Sequence, residues 1–206
     1  CGGKVTVIAL DAPEVDDVLY TALAKGADRA VKIPLNQAEL GSAATAKVLG
    51  AFFSSAGEPI TAETLILTGS QAIDDLEGEL SALLAESLNL PYLGVVCGVE
   101  PAEGKVIARK EFAGGVRGEF EMALPAILGI QSAEKPPRYV PVAKVRAVMK
   151  SAQIETADIA VPEKAKVLDV EKMYKPEVAG HAEMLEGSPE EIANRVAEIL
   201  AERGII

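Results

Sequence analysis

Tryptophan is absent, and only four phenylalanines and four tyrosines stand among the 206 residues. A core must therefore be assembled from alanine, valine, leucine and isoleucine. No apolar run reaches the roughly 20 residues that a membrane helix needs, so the sequence reads as soluble, without direct membrane insertion. Positive charge is scarce: 20 lysines and arginines face 31 acidic residues, a net charge of −11. That balance argues against a nucleic-acid partner, because binding a phosphate backbone needs Lys and Arg to neutralise it. Cys1 and Cys97 make neither a disulfide framework nor a metal spacing, so a reducing compartment is expected. Cys97, in "LGVVCGV", reads as a small core residue. His181 is the single histidine, too few for a metal site, and reads as a surface or interface residue. A nucleophile–base pair and a Gly-x-Ser-x-Gly elbow are also lacking. The chain opens on "CGGKVTVIAL" without methionine or a charged leader, so residues are expected to be missing at the front.

What is present is a regular alternation. "KVTVIAL" at residues 4–10 is β-branched and apolar, a buried strand. "PEVDDVLYTALAKG" carries Val15, Val18, Leu19, Ala22 and Leu23 at helical spacing, opened by Pro13 and closed by Gly26. "RAVKIP" is a second strand, and "GSAATAKVLGAFFSSAG" a second helix ending at Gly57. "ETLILTG" is the third strand, residues 76–88 the third helix, and "PYLGVVCGV" the fourth strand. This rhythm predicts an α/β fold with a doubly wound, mainly parallel sheet. "GKVIARKEFAGGVRGEFEMA" then alternates with a period of two around Gly114-Gly115, a β-hairpin, and "PAILGI" returns to the main sheet.

From Gln131 to Gly187 there is little periodicity and much proline, which reads as an arm laid over another surface. The last element, "SPEEIANRVAEILAERGII", has the Ser188/Glu191 signature of a capping box, Pro189 at its first position and an apolar stripe of Ile192, Val196, Ile199 and Leu200. Two parts are expected: residues 1–135 as the α/β nucleotide-binding-like domain with its hairpin, and residues 136–206 as an extended arm and terminal helix wrapping a partner subunit.

Taken in order, "KVTVIALDAPEVDDVLYTALAKGADRAVKI", "LTGSQAID", "GKVIARKEFAGG", "LPAILGIQSAEKPPRY" and the terminal helix resemble the electron transfer flavoprotein beta subunit over nearly the whole chain. The family's first strand and helix, about its leading fifth, have no counterpart here. The resemblance implies an adenine-nucleotide-binding, Rossmann-like fold and an electron-carrier subunit that is not itself an enzyme. It implies a heterodimer with an alpha subunit that carries FAD and shuttles electrons from a dehydrogenase to a respiratory acceptor. It also implies AMP, or in bifurcating members a second FAD, held by the beta subunit. A cytoplasmic location is implied, or the mitochondrial matrix in a eukaryote.

Residue by residue, the family's nucleotide segment falls on Gly69, Ser70, Gln71, Ala72, Ile73, Asp74, Asp75 and Leu80, with Asp11 touching the nucleotide from the first loop. The dehydrogenase-docking region falls on Arg138, Tyr139 and Val142, where valine replaces the usual leucine anchor. Another departure matters more. The family opens its helix with a Gln-Thr/Val-Gly run, and this chain has Glu79, Leu80 and Ser81. Glu77 and Glu79 would sit where phosphate charge belongs, and Leu76, Leu80, Leu83 and Leu84 recur at core spacing. The bland reading has Asp74 and Asp75 capping a helix that binds nothing. The pocket reads as inherited but degenerate, so AMP or a second FAD in this chain is doubtful. The alternative function is a non-redox adenine-nucleotide-binding regulatory module; a small enzyme acting on adenylated substrates is disfavoured by the absent phosphate loop.

Overall fold

The computed structural model describes residues 2–55, 58–73, 76–157, 159, 172, 174, 175, 182 and 184–206. They fall into two units, Cys1–Glu171 and Lys172–Ile206.

In the first unit, strands and helices alternate as their apolar spacing demands. β1 (Thr6–Asp11) leads through α1 (Val15–Lys25) to β2 (Arg29–Asn36), and the two strands pair in parallel with Thr6 opposite Arg29 and Leu10 opposite Ile33. A short 3₁₀ turn (Gln37–Glu39) precedes α2 (Ser42–Ser55), which crosses to β3 (Leu65–Gly69). After α3 (Leu80–Leu88), β4 (Tyr92–Ala102) turns back into β5 (Lys105–Glu111), and β6 (Arg117–Ala123) completes the expected hairpin around Gly114-Gly115. β7 (Ala126–Ile130) slots between β3 and β4, parallel to both. The α/β class, the parallel core and the hairpin are those the alternation implied. The strands hydrogen-bond, however, in two sheets: five strands in the order β3-β7-β4-β5-β6, and three in the order β1-β2-β8.

β8 (Glu155–Thr156) belongs to the stretch expected to be featureless, and so does α4 (Val142–Ser151). β8 adds in parallel to β2, with Val31 opposite Glu155, and Ala157 N–H donates to the Lys32 carbonyl at 2.9 Å. Arg29 clasps Glu155 through two nitrogens, at 2.8 and 2.7 Å, and reaches Glu58 at 2.6 Å. The guanidinium hydrogen bond holds the Glu155 carboxyl below its usual range. α4 packs against α1, with Val145 and Val148 its half-buried members.

The core has three parts. Val31, Ile33, Val48 and Phe52 bury between β2 and α2. Ala46, Ile66, Leu84, Ala85 and Ile127 bury between β3, β7, α2 and α3. Val96, Val106, Ala108 and Leu128 lie beneath β4, β5 and β7. Leu49 and Phe53 of α2 touch both of the first two clusters, so this one helix ties the two sheets together. Gly50 permits the close approach of α2 to α3, since a Cβ there would stand 2.5 Å from the Ser87 hydroxyl. Cys97 is half-buried and its thiol donates to the Arg109 carbonyl at 3.3 Å, a packing role as expected. Cys1 and His181 lie outside the described residues.

In the second unit, α5 (Pro189–Glu202) has the full capping box. Ser188 Oγ accepts from Glu191 N–H at 3.3 Å, and Glu191 Oε2 accepts from Ser188 N–H at 2.7 Å.

Candidate functional site

A cavity of about 240 Å³ opens at the carboxyl end of β3. One wall is the β3–α3 junction: Gly69, Ser70, Gln71, Ala72, Gly78, Glu79 and Leu80. The other wall is the turn after β2 and the start of α2, through Gln37, Leu40, Ser42 and Thr45. Two strand-to-helix crossovers thus face one crevice, the place where open α/β sheets bind their ligands.

The junction is held by its own polar groups. Ser70 N–H donates to the Ile130 carbonyl at 3.0 Å and its hydroxyl to the Gly129 carbonyl at 3.1 Å, which fixes the turn to β7. Ser81 is fully buried and donates to the Gly69 carbonyl at 3.1 Å, so Thr68 is the donor in the 2.6 Å contact between their hydroxyls. Gly78 has φ 68°, and a Cβ there would press on the Ser70 carbonyl at 3.1 Å. Without glycine the turn would have to open.

Several expectations need revision. The helix begins at Leu80 rather than at residue 76, because Leu76 and Gly78 both take left-handed φ values and cannot continue a helix. The stripe of leucines therefore loses its first member: Leu76 is exposed, while Leu80 and Leu83 pack against the buried core of Ile66 and Leu84. Leu80 both supports the core and lines the cavity. The cap position belongs to Glu79, whose side chain makes no cap hydrogen bond. Glu77 stands off the helix and accepts from Ser42 Oγ at 2.5 Å, which joins the cavity's two walls. Glu79 therefore meets the start of α3 without a cap hydrogen bond, while the Glu77 carboxylate is turned to Ser42.

Of the predicted nucleotide segment, the structure brings Gly69, Ser70, Gln71, Ala72 and Leu80 together around the cavity. Ile73 does not line it and is 88% exposed. Asp74 and Asp75 lie outside the described residues. Asp11, at the end of β1, does not line the cavity either; it stands 3.8 Å from the Lys32 ammonium, which Asp16 holds at 2.8 Å. The hydrogen bond that Lys32 donates to Asp16 is the main cause that holds the pKa of its ammonium above the ordinary value; desolvation opposes it, and the charges of Asp16 and Asp11 add to the rise. The residues missed by sequence reasoning are Gln37, Leu40, Ser42, Thr45 and Gly78. The available signal was the polar turn between "RAVKIP" and the second helix, a strand–turn–helix junction of the same type as the one after β3.

The arrangement suits a polar ligand approached by backbone amides and by Gln37, Ser42, Ser70 and Gln71. Among the described residues lining the cavity there is no lysine or arginine, and two carboxylates stand in or beside it. Phosphate would meet negative charge there; two unit charges about 4 Å apart repel by about 1 kcal/mol in water and several times that near a protein surface. The volume is also below the range of about 300–1,000 Å³ common for small-molecule sites. Among the described residues no group of three His, Cys, Asp or Glu is placed to hold a metal ion.

The residues expected to dock a dehydrogenase lie elsewhere. Arg138 donates to the Lys25 carbonyl at 3.4 Å, at the end of α1, where a cation complements the helix dipole. Tyr139 is 82% exposed, and Val142 is exposed at the first position of α4.

Residues 1–164 match the family model described as electron transfer flavoprotein domain. The chain is 32% identical to the electron transfer flavoprotein subunit beta of Methylophilus methylotrophus, over 97% of this chain and 77% of the relative. It is 30% identical to that of Clostridium acetobutylicum, over 100% of this chain and 80% of the relative. It is 25% identical to the caffeyl-CoA reductase-Etf complex subunit CarD of Acetobacterium woodii, over 100% of this chain and 80% of the relative. Such similarity across both units leaves one assignment: the chain belongs to the electron transfer flavoprotein family, among its beta subunits.

Proposed function

We propose that this chain is the beta subunit of an electron transfer flavoprotein, an electron-carrier subunit rather than an enzyme. It supports an alpha subunit that carries FAD and passes electrons from a dehydrogenase to a respiratory acceptor. The observation that carries this reading is the extent of the match, which runs through the α/β unit and the terminal helix alike. Residues 136–206 serve as the arm and helix that hold the alpha subunit, and Arg138, Tyr139 and Val142 meet the dehydrogenase. The work takes place in the cytoplasm, or in the mitochondrial matrix of a eukaryote. Among the described residues no helix is long and apolar enough to cross a membrane.

The residues around the cavity do not fit a phosphate-bearing nucleotide. Glu79 stands at the start of α3, no lysine or arginine is among the described lining residues, and Leu80 is engaged by the core. The family's AMP or second FAD is therefore absent from this chain's pocket, and the flavin of the complex is the one bound by the alpha subunit.

The test is a visible spectrum of the co-purified complex, followed by chromatography of the small molecules released on denaturation. One FAD per complex and no AMP is expected. One FAD and one AMP would preserve the family role and defeat the degenerate pocket. A colourless complex that releases AMP would replace the redox role with a nucleotide-binding regulatory one.

A further inference from the structure

We infer that the turn at Leu76 and Glu77 is the crevice's own occupant. It takes up in cis the polar groups that would otherwise meet a ligand, and the hydrogen bond between Glu77 and Ser42 is the latch that holds the two walls together. The turn is met from both sides. From the β3–α3 wall, Gln71 Nε2 donates to the Leu76 carbonyl at 2.5 Å. From the α2 wall, Ser42 Oγ donates to Glu77 Oε2 at 2.5 Å. Gln71 and Ser42 both line the cavity, so side-chain donors of each wall are directed at the chain itself.

Charge favours the latch. Ser42 is the first residue of α2, and the first turn of that helix has no acidic residue of its own. The leading N–H groups of a helix lack partners inside it, so that end carries partial positive charge. The Glu77 carboxylate, held by Ser42, supplies the negative group there, and it comes from the segment that leads into α3. An anion entering the crevice would have to displace Glu77 before it could use the Ser42 hydroxyl.

The backbone shows a turn that is held rather than relaxed. Leu76 has φ 59° and Gly78 φ 68°. Glycine takes the left-handed conformation freely, but leucine does not, so Leu76 keeps it only where its surroundings impose it. Its side chain gives little hold, being 60% exposed. The Gln71 bond to its carbonyl and the Ser42 bond to the next residue supply that hold. With both in place the cavity measures about 240 Å³, so the crevice is kept small by its own chain. This rests on the reading that no nucleotide resides there, and the two can be told apart. AMP released at one per unmutated complex would defeat both, whereas the variants below can defeat the latch alone.

Amide hydrogen exchange and calorimetric titration, both on the complex with the alpha subunit, test it. Ser42→Ala removes the latch and keeps the charge; alanine is a good helix former, so α2 itself is not weakened. Residues 43–47 and 78–83 are then expected to exchange about tenfold faster, as the loss of a hydrogen bond to a charged group implies. Glu77→Gln drops the charge but keeps an acceptor for Ser42, and should change these rates by less than about threefold. Gln71→Ala alters only the opposite wall, yet is expected to speed residues 43–47 by about threefold, because the turn it holds carries Glu77. With AMP as the probe, Ser42→Ala combined with Glu77→Gln should bind about tenfold tighter than the unmutated complex, and Glu77→Gln alone less than about threefold tighter. Unchanged exchange in Ser42→Ala would overturn the latch. Faster exchange with no gain in AMP affinity would overturn the occupant, since the crevice would then reject a ligand open or shut. A gain in Glu77→Gln equal to that of the double variant would overturn it too, by assigning the exclusion to charge alone.

Discussion

The starts of α3 and α5 solve the same problem in opposite ways. Each helix leaves its first four N–H groups without an intrahelical partner. At α5 the sequence closes the end itself: Ser188 and Glu191 satisfy each other's backbone, and Pro189 removes one donor. At α3 the cap residue itself makes no such bond. Glu79 holds the cap position without a side-chain cap bond, and the nearby Glu77 is turned to Ser42 across the cavity. The sealed helix presents an apolar stripe and buries no residue of its own; the open one faces a crevice lined from two crossovers. One end is built for permanence, the other for contact with solvent or a ligand.

The largest expected effect separates these roles. Deleting residues 188–206 should abolish co-purification of the alpha subunit, because the stripe of Ile192, Val196, Ile199 and Leu200 then has no means to dock. A complex that survives the deletion would show that α5 serves only its own chain. At the other helix, Glu79→Gln with Leu80→Thr should strengthen AMP binding by about 1–3 kcal/mol, through relieved repulsion and an added hydroxyl donor. Calorimetric titration of the complex with AMP measures it. An unchanged affinity would mean that the turn's shape, set by Gly78 and Leu76, rejects the nucleotide rather than its charge.

The same contrast explains what could be read from residues alone. α5 was legible to its cap, because a capping box is a local pattern of four residues and an apolar stripe follows it. The strands from β1 to β4, the hairpin and β7 were legible for the same reason, each being a run of one period. The start of α3 was misplaced by four residues, since leucines at 76, 80, 83 and 84 keep helical spacing whatever the backbone does between them. Gly78 was the sign of a break. α4 was missed because its valines at 142, 145 and 148 alternate with charged residues between a proline-rich stretch and a polar one, and only packing against α1 gives that face a use. Half of the cavity was legible, the half on one junction. Gln37, Ser42 and Thr45 come from a second junction about thirty residues earlier, and no linear pattern links the two.

A smaller effect checks the difference in capping directly. Ser188→Ala should cost α5 about 1 kcal/mol, read as about fivefold faster amide exchange in its first turns. Glu79→Ala should leave α3 within about 0.5 kcal/mol, the usual range for a surface change that breaks no specific contact. Equal losses at the two helices would mean that Glu79 caps α3 in solution after all.

The smallest effect is one of pH. The Glu191 carboxyl is held below its ordinary value of 4.5, first by the hydrogen bond from the Ser188 backbone N–H and then by the one from its hydroxyl, against a lesser desolvation effect. In the folded helix this group takes up a proton less readily than in the unfolded chain, so the unfolded form gains protons first as the pH falls. Its contribution to α5 is complete above the ordinary glutamate value, fades as the pH drops through the lower folded value, and vanishes below both. Glu191→Gln keeps an acceptor but has no charge to lose. Helical carbon chemical shifts of residues 189–193, followed from about pH 6 to about pH 3 in both proteins, should therefore diverge at the upper end and converge at the lower. Profiles that coincide already at the upper end would assign the cap's strength to the Ser188 hydroxyl and the Pro189 start, with no share for the ionised carboxylate.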